Sequence, residues 1–195
     1  MYTYATSGHE EVDALGGSRH DYPAQTTVTY LRTACGRTDR WQPLQERVST
    51  DDVCRTAAGA ELRRSVQRRS FFGQTEEQVL ICQPGLVLVP TGARPGSTTR
   101  GECRSDDTVA ALTFRFVGFE RALVGGRSIE VLHLSTAGRL TGSTRGSTSR
   151  EGWFTRSGLL VRVRATTDSV RDTSAGTVRY TETYELRLQS LDPQR

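Results

Sequence analysis

Lysine is absent from this sequence of 195 residues, so all 26 basic residues are arginine. Such an absence is typical of the codon bias of a high-GC genome, for example that of an actinobacterium. Arginine also binds carboxylates and phosphates through paired hydrogen bonds, so an anion-binding surface is the alternative interpretation.

No part of the chain carries a marked excess of one charge. Residues 1–105 contain 13 Arg and 12 acidic residues, and residues 106–195 contain 13 Arg and 10 acidic residues. Nucleic-acid-binding chains usually concentrate their basic residues in a tail or on one face. The even distribution therefore argues against nucleic acid as a partner.

Motifs that would identify an enzyme are also missing. The sequence has no G-x-S-x-G element, no Gly-rich loop leading into a helix, and no Cys and His residues at zinc-binding spacing. No set of Ser, His and Asp residues can be assigned to a catalytic triad from spacing alone. We therefore expect no catalytic activity, no metal site and no cofactor.

The densest polar cluster is His9-Glu10-Glu11 together with His20-Asp21. Two His and several carboxylates could bind a metal ion or transfer protons. These residues would meet only if the turn at Gly16-Gly17 folded the chain into a hairpin, and a solvated hairpin end is the simpler interpretation. His133, in a predicted strand, is interpreted as a hydrogen-bonded histidine on a strand face rather than as a general base.

Long apolar runs are missing as well. No stretch of 18 apolar residues occurs, which excludes a transmembrane helix within this sequence. The first residues, Met1-Tyr2-Thr3-Tyr4, show neither the basic start nor the apolar run of a secretory signal.

The four cysteines, Cys35, Cys54, Cys82 and Cys103, are widely spaced, and none lies in a C-x-x-C pair. An even number of such cysteines indicates disulfides and therefore an oxidising compartment. Among three connectivities we choose Cys35–Cys54 and Cys82–Cys103, each closing a loop of about 20 residues that contributes roughly 3 kcal/mol. Four buried free thiols are the alternative. Since no signal is visible, we expect the export signal or membrane anchor to lie outside this sequence.

The alternation of apolar and polar residues favours an antiparallel sheet. Apolar and polar residues alternate along Val178–Leu188, with Glu182 as the exception on the apolar face, and such alternation marks a half-buried strand. The other main predicted strands are Tyr2–Gly8, Thr26–Thr33, Trp41–Val48, Leu62–Phe72, Glu77–Gln83, Thr113–Arg121, Ser128–Ser135 and Leu159–Thr167. Val53–Ala60 is the one helix candidate, and Thr91–Gly101 is predicted to be a loop. Thr136–Gly152, rich in Gly, Ser and Thr, is interpreted as short polar strands or a mobile hairpin.

The length and composition suit one domain with its own core. The 19 Gly and 6 Pro supply turns, and 35% of the residues are hydrophobic. We predict a mainly β protein over residues 1–195, a single exported domain. Its architecture is a single curved antiparallel sheet, a half-barrel-like meander, with at most one or two short helices.

The C-terminal half contains a short recurring pattern. A turn at Gly125-Gly126-Arg127 and a return strand precede the aromatic pair Trp153-Phe154, which is followed by Gly158-Leu159-Leu160-Val161-Arg162. This pattern resembles the strands of periplasmic lipoprotein-carrier domains, mycobacterial lipid-carrying lipoproteins and related envelope-sensor domains. The resemblance covers residues 108–190, does not extend to the N-terminal half, and does not include the two expected disulfides. It implies a curved antiparallel sheet whose concave face holds lipid or acyl chains.

The resemblance implies a non-enzymatic extracytoplasmic domain, secreted or anchored to the cell envelope, that binds a lipid or another apolar small molecule. The candidate ligand-binding side chains on the concave face are Phe72, Phe114, Phe116, Trp153 and Leu160. Each of them could instead belong to an ordinary hydrophobic core. With a filled interior, the alternative function is a structural or interaction ectodomain that contacts an envelope protein or an anionic cell-wall polymer.

Overall fold

Residues 1–173 and 176–194 are described by the computed structural model, and their strands form one antiparallel sheet. This part of the chain contains no α-helix, and a single 3-10 turn spans Ala14–Gly16. Its thirteen strands are β1 (Tyr2–Val12), β2 (Ser18–Asp21), β3 (Gln25–Arg32), β4 (Gly36–Trp41), β5 (Arg47–Thr56), β6 (Gly59–Phe71), β7 (Gln74–Pro90), β8 (Thr98–Arg104), β9 (Thr108–Val124), β10 (Arg127–Gly142), β11 (Thr144–Phe154), β12 (Leu160–Thr173) and β13 (Gly176–Leu188). The predicted fold class, a mainly β protein with a single curved antiparallel sheet and very few helical residues, is confirmed.

The sheet curves until its two sides meet. Strands β3 to β13 follow one another in chain order, β1 lies beside β3, and β13 pairs back with β1, so the strands close into a ring. The short strand β2 shares an edge of β1 with β3: it pairs with residues 9–12, and β3 pairs with residues 2–5. The predicted meander therefore continues around a complete ring.

Strand alternation places every second side chain inside the ring, where two apolar clusters form. The large cluster is Tyr4, Tyr22, Val28, Trp41, Val124, Val131, Leu160, Val161, Val163, Leu186 and Leu188. The small cluster is Leu62, Leu80, Cys82, Leu86, Cys103, Ala110 and Phe114. Burying one Leu, Val or Phe side chain stabilises a fold by about 1.5–3 kcal/mol, so each cluster holds its own group of strands together.

Backbone pairing between β7 and β8 is the weakest of the described strand pairs. A single residue pair, Ile81 with Arg104, forms the described ladder between these strands, whereas β8 and β9 pair over the whole length of β8. The side chain of Leu86 packs against Gly101, where a Cβ would lie 2.5 Å from Leu86 Cδ1. We call this region the seam.

Both predicted disulfides are present, and one of them bridges the seam. Cys82 of β7 is bonded to Cys103 of β8, and each is only 1% exposed. The other disulfide joins Cys35, in the turn between β3 and β4, to Cys54 of β5. Since backbone pairing is nearly absent at the seam, the strands are joined there by the Cys82–Cys103 bond and by a hydrogen bond of 2.6 Å that Thr99 donates to the carbonyl oxygen of Val87.

The helix predicted over Val53–Ala60 is wrong. Residues up to Thr56 belong to β5, and β6 begins at Gly59. The preceding residues Asp51 and Asp52 are of a type that often caps a helix, but they accept hydrogen bonds from Ser65 of β6 and Thr38 of β4. Pairing of β5 with β4 and β6 on both edges outweighs the local capping preference.

Two further segments differ from expectation. The strand predicted over Trp41–Val48 is interrupted, because β4 ends at Trp41 and β5 begins at Arg47; Pro43, which lacks an N–H group, lies in the turn between them. The predicted loop Thr91–Gly101 is a loop only as far as residue 97, since Thr98 begins β8. Pairing with β9 makes this polar segment a strand.

No helix among the described residues has the length and apolar character needed to span a bilayer.

The seam yields a stability prediction. Replacing Cys82 and Cys103 with Ala should speed amide hydrogen exchange in β7 and β8, because one backbone pair and the Thr99–Val87 hydrogen bond are left to hold the strands together. The matched control is the Cys35→Ala, Cys54→Ala double variant. The disulfides span similar sequence separations, 21 and 19 residues, so their loop-entropy contributions of roughly 3 kcal/mol are alike. Equal exchange in β7 and β8 of the two variants would show that the disulfide does not hold the seam.

Candidate functional site

A cavity of about 250 Å³ lies inside the ring between the two apolar clusters. Side chains from β4, β5 and β6 line one part of its wall, and β7 to β13 supply the rest. Each of these side chains points inward because alternate residues on a strand share one face. The cavity is the candidate functional site.

One part of the cavity wall is apolar. Its aliphatic and aromatic members are Val53, Leu62, Leu80, Leu88, Leu112, Phe114, Leu134, Leu140 and Phe154. Leu62, Leu80 and Phe114 belong to the small cluster, so this wall is continuous with packed core. It provides contact for an apolar group of moderate size.

The facing part of the wall is polar. Arg37 donates to Asp39 through two hydrogen bonds of 2.5 and 3.0 Å. Asp51 accepts a hydrogen bond of 2.7 Å from Ser65, and the Arg150 guanidinium lies 3.7 Å from Asp51. Burial lowers the pKa of Arg150, but Tyr184, Asp51 and Asp39 outweigh this effect and raise it above its ordinary value. Arg150 therefore carries its positive charge inside the ring.

A buried ion pair closes one end of the cavity. Arg47, at the start of β5, donates to Glu182 of β13 at 3.0 Å, and its guanidinium lies 3.6 Å from Glu10 of β1. Burial works to lower the pKa of Arg47, but Glu182 holds it well above its ordinary value. Burial likewise works to raise the pKa of Glu182, and Arg47 and Arg69 bring it below its ordinary value. Both members of the pair are therefore charged.

Tyrosine and histidine side chains complete this network. Tyr22 donates to Glu182 at 2.7 Å, and Tyr180 donates to Glu10 at 3.0 Å. His20 Nδ1 lies 3.0 Å from the other oxygen of Glu10. Glu182, the exception in the alternation of β13, is thus a buried carboxylate with strong partners. We call Arg47, Glu182, Glu10, Tyr22 and Tyr180 the buried network.

The cavity opens at the opposite end through a depression that we call the mouth. It has a volume of about 790 Å³ and is formed by the turns that follow β3, β5, β7 and β11. Arg37, Val53, Leu88, Leu134 and Phe154 line both the mouth and the cavity, so the two spaces are adjacent.

The mouth is basic. Among the described residues, its charged lining is Arg32, Arg37, Arg55 and Arg156, with no acidic side chain. Arg55 spans the mouth by donating a hydrogen bond of 2.8 Å to the carbonyl oxygen of Ser157. An approaching molecule with negative charge is attracted to such an opening.

The outer face of the ring has a separate polar cluster around His133. Its Nδ1 and Nε2 atoms each lie 2.6 Å from a carboxylate oxygen, of Glu120 and Glu151 respectively. Trp153 stacks on His133 at 4.4 Å and donates to Glu120. Hydrogen bonds from Trp153 and His133 lower the pKa of Glu120. The cluster joins three strands, which agrees with the interpretation of His133 as a hydrogen-bonded face residue.

A second outer cluster surrounds Glu185 of β13. Arg162, Arg164 and Arg187 donate to this carboxylate at 2.6, 3.2 and 2.9 Å. Partial burial works to raise the pKa of Glu185, but the hydrogen bonds from these three arginines lower it from its ordinary 4.5 to about 2. Three guanidinium groups share one carboxylate, so this surface is positive.

The five candidate ligand-binding residues do not converge. Phe114 lines the cavity, and Phe116 is 2% exposed without reaching it. Leu160 lies in the large cluster, where its carbonyl accepts a hydrogen bond from Tyr4. Trp153 is partly buried, stacks on His133 and also packs against the large cluster, and Phe72 is 45% exposed in the turn between β6 and β7.

The polar cluster predicted from His9, Glu10, Glu11, His20 and Asp21 is split between the two faces of the sheet. β1 and β2 form the expected hairpin, with Glu10 opposite His20 and His9 opposite Asp21. His20 faces the buried network and stacks on Phe71 at 4.5 Å, and His9 points to the other face. The described residues contain no group of three or more His, Cys, Asp and Glu side chains arranged to hold a metal ion.

Sequence reasoning missed the charged lining of the cavity. Arg47, Asp39, Asp51 and Arg150 lie in polar segments, where alternation does not separate an inner face from an outer one. Glu182 was the one detectable signal, because it interrupts an apolar face.

Comparison with known proteins identifies no relative: no family model, no curated protein and no solved structure matches this chain.

The buried network yields a stability prediction. Arg47→Met should destabilise the fold by about 3–5 kcal/mol, because it leaves Glu182 buried without its cation. Chemical denaturation measures the effect. Combining it with Glu182→Gln should recover part of the loss. The control is Arg179→Met, which breaks a surface pair with Asp168. Similar losses in the two single variants would contradict a special role for the buried network.

The outer arginine cluster yields a pH prediction. The folded pKa of Glu185 is below its ordinary value, so its carboxylate stabilises the fold above pH 4.5. That contribution is lost as the pH falls from 4.5 towards about 2. The stability difference between the native chain and Glu185→Gln should therefore be largest near neutral pH and shrink in acid. A difference that does not change over this range would contradict the assignment.

Proposed function

We propose that this chain is an extracytoplasmic binding domain that holds a small amphipathic molecule inside its ring of strands. The observation that carries the proposal is the cavity, which has an apolar wall, a polar wall and an adjacent mouth. A molecule with an apolar part and a polar end matches both walls.

The cavity limits the size of the ligand. Pockets for drug-sized molecules usually enclose about 300–1,000 Å³, and this cavity has a volume of about 250 Å³. A long acyl chain would therefore extend into the mouth. A short amphiphile, or one end of a lipid, fits the available space.

Two further features support a binding role outside the cytoplasm. Two disulfides favour an oxidising compartment. The polar groups of the cavity are mostly engaged with one another, as in Arg37 with Asp39 and Arg47 with Glu182, which favours holding a ligand over catalysing a reaction.

The outer surface favours a second candidate function. Arg164 and Arg187 are each more than half exposed and share Glu185 with Arg162. This positive surface supports an interaction ectodomain that contacts an anionic cell-wall polymer.

Extraction of the purified protein with organic solvent, followed by mass spectrometry, tests the first proposal. We expect a stoichiometric amphiphile that is lost in Leu112→Trp, because the larger side chain occupies the cavity. Ala111→Trp is the matched control, since Ala111 is the neighbouring residue on the exposed outer face of β9. If both variants retain the ligand equally, the ligand binds outside the cavity. If the extract is clean and no amphiphile binds to the purified protein, the interaction ectodomain becomes the better proposal.

A further inference from the structure

Arg150 has more hydrogen-bonding capacity than the described residues use. A guanidinium has five N–H donors. The carboxylate of Asp51, 3.7 Å away, is the one ionic partner of Arg150 in the described part of the chain, and it lies beyond hydrogen-bonding distance. The side chain is 37% exposed, and it lines the cavity. Arg150 therefore presents free donors to the cavity.

Two polar atoms on β6 are also without partners. The Gln67 Oε1 and Arg69 Nε atoms are buried and make no hydrogen bond in the described residues, and both side chains line the cavity. The Arg69 guanidinium instead lies over the ring of Tyr180, at 4.1 Å. Buried polar atoms nearly always have partners, so these atoms mark a place where a polar ligand group would be stabilised.

Among the described residues, two of the arginines that line the cavity lack a close acidic partner. The described part of the chain lines the cavity with four arginines, Arg37, Arg47, Arg69 and Arg150, and three carboxylates, Asp39, Asp51 and Glu182. A fourth carboxylate, Glu10, lies outside the lining and 3.6 Å from Arg47. Arg37 pairs with Asp39 at 2.5 Å, and Arg47 pairs with Glu182 at 3.0 Å. Arg150 lies 3.7 Å from Asp51, Arg69 makes no ion pair among the described residues, and the mouth adds positive charge along the way in.

We infer that the ligand is an anionic amphiphile, whose carboxylate or phosphate group binds Arg150 and whose apolar part contacts Leu112, Phe114 and Leu140. The inference rests on the proposed function and adds the chemical class of the ligand. Arginine suits this role because its planar fork binds both oxygens of a carboxylate or phosphate.

Asp51 competes with the ligand for Arg150. It also accepts a hydrogen bond of 2.7 Å from Ser65, so it keeps a partner when Arg150 turns to a ligand. Asn at this position would keep an acceptor for Ser65 and remove the competing charge. Asp51→Asn should therefore strengthen anion binding, an effect that a purely structural Arg150 would not produce.

Isothermal titration calorimetry with four probes of equal chain length tests the inference. The probes are octanoate, octyl phosphate, octan-1-ol and octylamine. We expect one or both anions to bind at least roughly tenfold more tightly than octan-1-ol, because a charge-assisted hydrogen bond is lost with the neutral head group. Octylamine should bind most weakly. The stronger of the two anions identifies the head group as carboxylate or phosphate.

Three variants assign the effect to Arg150. Arg150→Gln should lower anion affinity at least roughly tenfold and leave octan-1-ol unaffected, and Asp51→Asn should raise anion affinity. The control is Arg145→Gln, an exposed arginine of the same strand that pairs with Asp172. Should Arg150→Gln not fold, the Asp51→Asn result still decides the matter.

The outcomes separate this inference from the proposed function. Equal binding of octanoate, octyl phosphate and octan-1-ol, unchanged in Asp51→Asn, would overturn the anionic class and leave the binding function in place. Tighter binding of octylamine would also overturn it. If none of the four probes binds, the proposed function itself fails.

Discussion

Nine residue pairs between β1 and β13, from Tyr4 with Leu188 to Val12 with Tyr180, join the two sides of the sheet. This pairing has a direct consequence for every other strand. Once the sheet is closed, half of all strand residues must point into a confined interior, whether their side chains are apolar or not. The content of the interior is therefore set by closure as much as by hydrophobicity.

The buried network lies next to this closing pair of strands. Glu10 of β1 is paired in register with Glu182 of β13, and two neighbouring carboxylates would repel each other in a dry interior. Arg47 reaches them from β5 and supplies the compensating charge. The network thus links the closing strands to β5, which is separated from β1 by β3 and β4. At the seam, where backbone pairing is nearly missing, a disulfide rather than an ion pair connects the strands.

The sequence predicted the class of fold because alternation is strong where one face is apolar, as along Val178–Leu188. The disulfide pairing was predictable too, because neighbouring antiparallel strands bring cysteines of short separation together. Ring closure was not predictable, because no sequence pattern in β1 or β13 indicates that these two strands pair with each other. The inward position of Arg150 was not predictable for a related reason. Its strand carries Thr, Gly and Arg on the inner face, so the sequence pattern does not show which face is buried. The helix predicted over Val53–Ala60 failed because capping residues also suit positions between strands.

A buried ion pair is weak evidence that its charges are kept for stability. A buried ion pair can often be exchanged for apolar residues of similar volume with no loss of stability, or with a gain. A chain of this size could fill its ring with aliphatic side chains, and the small cluster shows that it does so in one region. Arg150 is harder to explain by stability, because its charge lies inside the ring and its one ionic contact within the described part of the chain, with Asp51, is long. Local departures from good packing and full hydrogen bonding are concentrated at functional sites in proteins generally. An arginine kept in an incomplete environment, next to an apolar wall and below a basic mouth, is such a departure, and a bound anion would complete it.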